Sequence, residues 1–446
     1  MDYIANILFV VVLAIGIGYF TKNIRKVIRN IRLGRDIDRS DNKSERWKRM
    51  AMIAMGQTKM VRRPIAGALH LVVYIGFIII NIEVLEIIID GVFGTHRIFA
   101  FLGAGYDFLI GSFEILAFLV LVAVILFWIR RNVIRLKRFL SPEMKGWPKM
   151  DGNVILYFEV VLMLLFLIMN AADFKLQLLE APHYYDPAGV MGSFPISQFI
   201  KPLFDNMAMG TIVLIERAAW WLHIIGILTF LNYLYFSKHL HIMLAFPNTF
   251  YANLQVQGEL DNLEAVTNEV KLMMDPDADP FAAPAEDATD AEPAKFGASD
   301  VMDLNWVQLL NSYTCTECGR CTSECPANQT GKKLSPRKIM MDTRDRLQEV
   351  GANIDKNGSF VADDKQLLND YITPEELWAC TSCNACVEAC PVSISPLSII
   401  IDMRRYLVME ESAAPTDLNN MMSNIENNGA PWPFNQMDRL NWKDEA

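Results

Sequence analysis

All eight cysteines of the chain fall in two runs, CTECGRCTSECP at 315–326 and CTSCNACVEACP at 380–391. Each reads C-x2-C-x2-C-x3-C-P. That spacing wraps three thiolates around one iron–sulfur cube, and its Cys-Pro step turns the chain toward a second. Four disulfides would suit a secreted chain, and zinc is usually held by two pairs of ligands rather than by three plus one. The two runs therefore predict two [4Fe–4S] clusters. In two-cluster ferredoxins the fourth cysteine of each run serves the other cluster. Cys315, Cys318, Cys321 and Cys390 are thus expected around one cluster, and Cys380, Cys383, Cys386 and Cys325 around the second.

The six histidines are His70, His96, His183, His223, His239 and His241. Imidazole is a common axial ligand to haem iron. From His223 to His241 is eighteen residues, or five turns at about 100° per residue. The two share a face if their helix continues, about 27 Å apart along its axis. His239 points about 160° from that face. His70 lies at the depth of His241 on another hydrophobic segment, and this pair predicts one bis-histidine haem b. A second haem at His223 needs a partner. Asn81 stands at the matching place on the second segment, Met163 has the right depth on the fourth, and His96 and His183 lie outside the spans. The competing reading is that these histidines are interfacial or simply hydrogen-bonded.

The elements that must position these residues are hydrophobic. The chain has 446 residues, 52% of them hydrophobic, and a net charge of −10. The charge argues against nucleic acid as a partner. Five segments are long enough to cross a bilayer: 3–20, 65–89, 107–129, 153–172 and 211–236. The first lacks a basic lead-in and a cleavage site, so it is expected to be a retained helix rather than a signal peptide. Lys and Arg crowd the loops 21–64 and 130–149 and are sparse in 90–106 and 173–210. By the positive-inside rule the N-terminus is outside and the cluster domain lies in the cytoplasm, at the inner membrane. That compartment is reducing, as thiolates require. Glu83, Glu86, Glu114 and Glu216 with Arg217 are acids and a base inside or near the spans. They read either as ion pairs solvated at the interface or as a proton path to a quinone site on the outer side.

After the fifth span, IMLAFPNTFYANLQ is expected to run along the membrane surface and 253–273 to be a helix. The segment DPDADPFAAPAEDATDAEPAKFGASD that follows reads as an acidic linker. Between the cysteine runs Ser335 caps a helix with Pro336 at its first position and Gly351 just past its end, and TPEELWAC opens another. The expectation is an all-α chain, a five-helix transmembrane bundle followed by a mostly helical dicluster ferredoxin domain. Its divisions are 1–245, 246–300, 301–412 and a tail, 413–446.

CTECGRCTSECPANQTGKKLSPRKIMMDTRD and LWACTSCNACVEACPVSI resemble the dicluster proteins of the heterodisulfide reductase type, over about 303–412. The hydrophobic half resembles the nitrate reductase gamma-type cytochrome b subunit in its His223–His241 spacing and in His70. That family's second ligand on the second helix has no counterpart here. The resemblance implies an electron-transfer subunit linking a soluble redox partner, two [4Fe–4S] clusters, haem b and a membrane quinone such as menaquinone. The partners it implies are a separate iron–sulfur subunit with a CCG domain and an electron-transferring flavoprotein. The alternative is a haem-free membrane anchor that tethers a dicluster module.

Overall fold

The computed structural model describes residues 3–187, 189–276 and 295–444. Among them there is no strand. Five helices are long and apolar enough to cross a membrane: α1 (Ile4–Ile31), α3 (Pro64–Phe93), α4 (Ala104–Asn132), α5 (Trp147–Leu178) and α6 (Met209–Tyr233), the last prolonged by a 3-10 turn to Phe236. In hydrocarbon every backbone polar group must be satisfied within its own segment, so an aliphatic run of this length has only the helix open to it. The helices α3, α4, α5 and α6 pack in sequence, and α1 closes the bundle against α6 and α3. The protein is thus a membrane protein with an all-helical span.

The cluster domain sits on the end of the bundle where α1 finishes and α3 begins. It is built from α9 (Trp306–Thr314), α10 (Arg320–Glu324), α11 (Pro326–Gln329), α12 (Pro336–Asn357), the broken turn α13 (Leu367–Asp370), α14 (Pro374–Trp378), α15 (Ala385–Ala389) and α16 (Pro396–Met409). Its core continues into the bundle. Val27 and Ile31 of α1 join Leu310, Tyr313, Ile339 and Val350 in one buried cluster. This is why α1 runs eleven residues beyond the predicted span. Its last turns bury Asn23, Asn30 and Ile31 against the cluster domain instead of ending at the membrane surface.

Both basic loops lie on this side and hold the domain. Arg63 bonds Ser323 at 2.7 Å and Glu324 at 2.8 Å, and fully buried Arg337 takes Glu143 at 2.7 Å and the Arg138 carbonyl at 2.6 Å. The charge bias read as a topology signal is therefore also a docking surface. The short helix α2 (Lys43–Met50) belongs to it, with buried Arg46 donating to the carbonyls of Phe250 and Ala252.

Three expectations are corrected at this level. The segment after the fifth span does not skim the membrane: α7 (His241–Phe250) packs between α2 and α9 with Asn248 and Thr249 fully buried. Helix is found only at α8 (Glu264–Met274), not over 253–273. Gly351 does not end its helix. The helix runs to Asn357 and stops at Gly358, while Gly351 faces Asn30, whose Nδ2 would stand 2.3 Å from a Cβ there. Close approach of α12 to α1, not termination, explains that glycine. Most of the acidic linker, 277–294, lies outside the described residues. The predicted Ser335 cap and the helix opened by TPEE are both present, the latter with a full capping box from Thr373 and Glu376.

Candidate functional site

The two cysteine runs take the same backbone path. Glu317 and Ser382, the third residue of each run, have φ of +55° and +54°, and Gly319 and Asn384 follow at +72° and +60°. Two left-handed residues bend each loop, and α10 and α15 then start and pack on each other. All eight cysteines are free thiols.

Their neighbours fall into two foursomes. Burial pushes the Cys315 thiol up to about 12, and nearby Cys318 and Cys390 add to the rise. Burial likewise raises Cys390 to about 11, with Cys318 beside it. Cys386 rises to about 12 through burial and the nearness of Cys380, Cys325 and Cys383. Cys321 is raised by burial and by Cys315, Cys318 and Cys390, and it also feels Cys386, where the foursomes adjoin. Thiols packed this way resist ionisation until a cation joins them, and iron binding supplies that cation while releasing the protons. Among the described residues no three such side chains converge on a single-ion site. Ligands to separate irons of a cube stand apart at its corners. Backbone amides already point at sulfur: Ile394 N lies 3.3 Å from Cys390 Sγ, and Ser382 N lies 3.4 Å from Cys380 Sγ.

The first foursome faces the bundle through a charged residue that the sequence reading passed over. Lys238 is buried where the fifth span ends. Its ammonium pairs with Glu317 and donates to the Pro148 carbonyl at 2.6 Å, with Asp151 at 3.8 Å. Its own carbonyl lies 3.1 Å from His241 Nδ1. One residue therefore touches both a cluster loop and a histidine. Arg344 takes the other Glu317 oxygen at 2.7 Å. Burial would raise the Glu317 carboxyl, but Lys238 and Arg344 together hold it below the usual carboxylate range. The sequence signal available was an acid inside a cysteine run and a lysine directly before two histidines.

The fifth helix does not continue to His241. After Phe236 the chain extends at Ser237 (φ −102°, ψ 149°), makes one 3-10 turn and restarts at α7. Asp151 holds this break, accepting from Tyr233 and Ser237 hydroxyls at 2.6 and 2.7 Å and from the Lys238 amide at 3.1 Å. The five-turn register between His223 and His241 is therefore lost. His70 and His241 nevertheless come together, and His239 joins them instead of pointing away. The rings of His239 and His241 are 5.4 Å apart and perpendicular. Burial, with His241 and His70 nearby, holds His239 well below its ordinary pKa. Burial also lowers His241, against its bond to the Lys238 carbonyl. His223 is apart from all of these, mid-helix and 2% exposed, its ring 6.1 Å from Phe166 and its Nδ1 without a partner.

At the far end of the bundle a second polar centre gathers His96, His183, Arg97, Asp173, Glu83, Glu86 and Glu216 around a cavity of about 380 Å³. Glu216 pairs with Arg217 at 2.6 Å, as expected, and also accepts from the Tyr184 hydroxyl at 2.6 Å. Glu114 is tied off by the amides of Ile196 and Ser197, at 2.9 and 3.0 Å.

Comparison with known proteins fits this geometry. Residues 314–394 match the 4Fe-4S dicluster domain family. The chain is 30% identical to the probable iron-sulfur-binding oxidoreductase FadF of Bacillus subtilis over 99% of its own length and 61% of that protein. It is 25% identical to the EtfAB:quinone oxidoreductase of Syntrophomonas wolfei over 92% of its length and 55% of that protein. The cluster domain alone is 32% identical to a subunit of the ferredoxin/F420H2-dependent CoB-CoM heterodisulfide reductase of Methanosarcina acetivorans, over 26% of this chain and 60% of that one. The chain thus spans 61% and 55% of the length of the two long relatives. No solved structure matches it. Residues 314–394 form an iron–sulfur dicluster domain carried on a membrane-spanning helical bundle, and the chain is similar to iron–sulfur oxidoreductases and heterodisulfide reductase subunits.

Proposed function

We propose that the chain is an electron-transfer subunit carrying electrons between a soluble redox partner and a membrane quinone through two [4Fe–4S] clusters and haem b. The observation that carries this reading is the meeting of the first cysteine foursome, Lys238 and the His70–His241 pair at one end of the bundle. Cys315, Cys318, Cys321 and Cys390 would hold one cluster, and Cys380, Cys383, Cys386 and Cys325 the other. His70 and His241 would hold one haem. The His241 Nδ1 contact to a backbone carbonyl favours the tautomer that leaves Nε2 free for iron, and His70 offers a buried Nδ1 with no partner. His223, also with an unpartnered buried nitrogen, would hold a second redox group between this end and the far one. Bound clusters and haem supply one-electron relay sites, and the chain's part is to space them, bury them and set their surroundings.

The basic loops and the cluster domain share one side, which supports a cytoplasmic cluster domain under the positive-inside rule. The name of the Syntrophomonas wolfei relative, an EtfAB:quinone oxidoreductase, supports a donor of the electron-transferring flavoprotein class and a quinone. The greater length of both long relatives leaves room for a further module, and the reading assigns that place to an iron–sulfur subunit of the CCG kind acting with this chain.

The test is to purify the chain in detergent, count haem and iron, and record reduced-minus-oxidised spectra of wild type, His70→Ala and His223→Ala. About eight irons beyond haem, with b-type bands lost in His70→Ala, is the expected result. Loss of about half the haem signal in His223→Ala would establish the second group. Full iron without haem in wild type would replace this reading with that of a tethered ferredoxin.

A further inference from the structure

The first cysteine run carries a charge that the second lacks. Arg320 stands directly before Cys321, and the corresponding place before Cys386 is held by Ala385. Arg320 is 4% exposed and lines the recess formed by Cys315, Cys318, Cys321 and Cys390. Its guanidinium turns toward the loop before α3. Nη1 donates to the carbonyls of Lys59 and Met60, both at 3.2 Å, and Nη2 donates to the Met60 carbonyl at 3.2 Å, with the Met60 sulfur at 2.9 Å. That loop opens α3 at Pro64, and His70 lies six residues further on, about 9 Å along the axis. The charge of Arg320 thus acts on Cys318 and Cys390 on one side and on His70 on the other.

Among the described residues, every acceptor that Arg320 bonds is neutral. The cations around it are matched: Lys59 faces Glu388 at 3.7 Å, Arg63 takes Glu324 at 2.8 Å and Arg337 takes Glu143 at 2.7 Å. Arg138, another cation near Cys318, is half-buried and stacks on Phe139 at 4.9 Å. A buried charge is costly unless it is paired or serves a metal site. Four thiolates outweigh the charge of the cube they hold, so a bound cluster is the anion that Arg320 lacks. Reduction adds one more negative charge there, and a fixed cation beside it favours the reduced form.

We propose that Arg320 sets the potential of the first cluster and joins it to the His70 side. It clamps the cluster loop to the turn before α3 and holds a permanent positive charge between the thiolates and His70. This rests on the electron-transfer reading above. The step served is the passage of one electron, with the first cluster oxidised by one and the haem iron reduced by one. No proton moves and no bond is made or broken, and the electron originates in a reduced flavin-class donor. The charge raises both midpoints, the cluster's more than the haem's, because the guanidinium lines the cluster recess itself. The second cluster does not feel it in this way. Its own arginine is Arg404 of α16, half-buried, which donates to the carbonyls of Leu377 and Cys380 at 2.6 and 2.5 Å and stacks on Trp378 rather than reaching toward the bundle.

The experiment uses the full chain in detergent, in redox titrations followed by EPR and visible absorption, with wild type, Arg320→Gln and Arg320→Lys. Gln keeps a donor for the two carbonyls and removes the charge, whereas Lys keeps the charge. Iron content reports the folding of each variant, and comparison with Cys383→Ser assigns the two cluster signals. In Arg320→Gln the reduction equilibrium of the first cluster is expected to fall at least tenfold, about 59 mV for one electron. The haem is expected to fall by less and the second cluster to stay in place, with Arg320→Lys near wild type throughout. Unmoved midpoints in Arg320→Gln at native iron content, or equal shifts of both clusters, would overturn the proposal. If Arg320→Gln loses iron, Arg320→Lys decides. Native iron and midpoints there uphold the role of the charge, and lost iron or lowered midpoints overturn it and leave a clamp alone. Clusters without haem in wild type would sink the electron-transfer reading, and the shift of the first cluster would then uphold or overturn the assignment of Arg320 by itself.

Discussion

The two cysteine runs share spacing and backbone path, and they differ in what covers them. Around the first, Cys315, Glu317, Gly319, Arg320, Thr322 and Cys325 are all buried, and Arg320 reaches back to the carbonyls of Lys59 and Met60 at 3.2 Å. Around the second, Thr381, Cys383 and Glu388 are exposed. The third residue of the run is Glu317 in one copy, tied to Lys238 and Arg344, and Ser382 in the other, within 3.5 Å of Arg404. A duplicated ligand loop has thus been given two positions: one sealed against the histidine end of the bundle, one open to solvent. Environment, not ligand chemistry, separates them, and with sulfur hydrogen bonding and exposure both able to tune cluster potential the two sites need not be equal in energy.

Removing ligands gives the largest expected effect and the most direct way to break the comparison. Cys383→Ser is expected to cost one cluster, leaving about four of about eight non-haem irons, because the loop it leaves is open and can rearrange. Cys315→Ser sits in the shared core between α9 and the second run, and is expected to lose both clusters and most of the folded protein. Iron analysis and low-temperature EPR of the reduced proteins read the outcome. Equal loss in the two variants would mean that the difference in covering has no bearing on how the clusters are held.

Next in size is Lys238→Met. Removing one partner of a buried ion pair typically costs about 3–5 kcal/mol, because a charge is left without compensation. Arg344 still pairs with Glu317, so the lower end of that range is expected for the transition followed by thermal or denaturant unfolding in detergent. Pairing the change with Glu317→Gln should recover part of the loss, since the half-compensated carboxylate is then gone while Arg344 keeps Asp345 at 2.9 Å. No recovery would show that Lys238 acts through Pro148 and Asp151 alone, and that the first run is not braced by it.

The cysteine spacing and the hydrophobic runs made most of the architecture legible, because each is a local pattern with few physical solutions. Five spans and a helical cluster domain could be read without coordinates, and the spacing alone suggests the crossed foursomes proposed above. What could not be read depends on contacts between distant segments. The break at Ser237 is held by Asp151, eighty-six residues away, so helical periodicity carried the chain straight past it. His239 enters the histidine cluster only because of that break. Gly351 looked like a helix stop because glycine usually is one there, and only the presence of Asn30 reveals its other use. The far-end centre joins His96, Asp173, His183 and Glu83 from four separate segments, and no spacing along the chain announces it.

Gly351→Ala tests how closely the cluster domain is fitted to α1 on its buried side. The added methyl meets Asn30, whose side chain also receives the Arg29 guanidinium, and Arg29 in turn donates to the Gly351 carbonyl at 2.9 Å. Alanine favours the helix by about 1 kcal/mol over glycine. Overpacking costs typically 1–3 kcal/mol, so a net loss of about 1 kcal/mol is expected. A gain in stability would show that Asn30 swings aside freely and that the contact is not a fixed seat.

The smallest effect belongs to the exposed run. Arg62 pairs with Glu388 beside the second foursome, with the two side chains 58% and 47% exposed. Exposed pairs contribute about 0–1 kcal/mol, and salt screens them over about 10 Å at 0.1 M. Arg62→Ala is therefore expected to leave unfolding and iron content nearly unchanged, and any small loss should vanish by about 1 M salt, whereas the Lys238→Met loss should persist there because its partner is buried. A salt-independent loss in Arg62→Ala would place the second run under cover like the first, and the division into a sealed loop and an open one would fail.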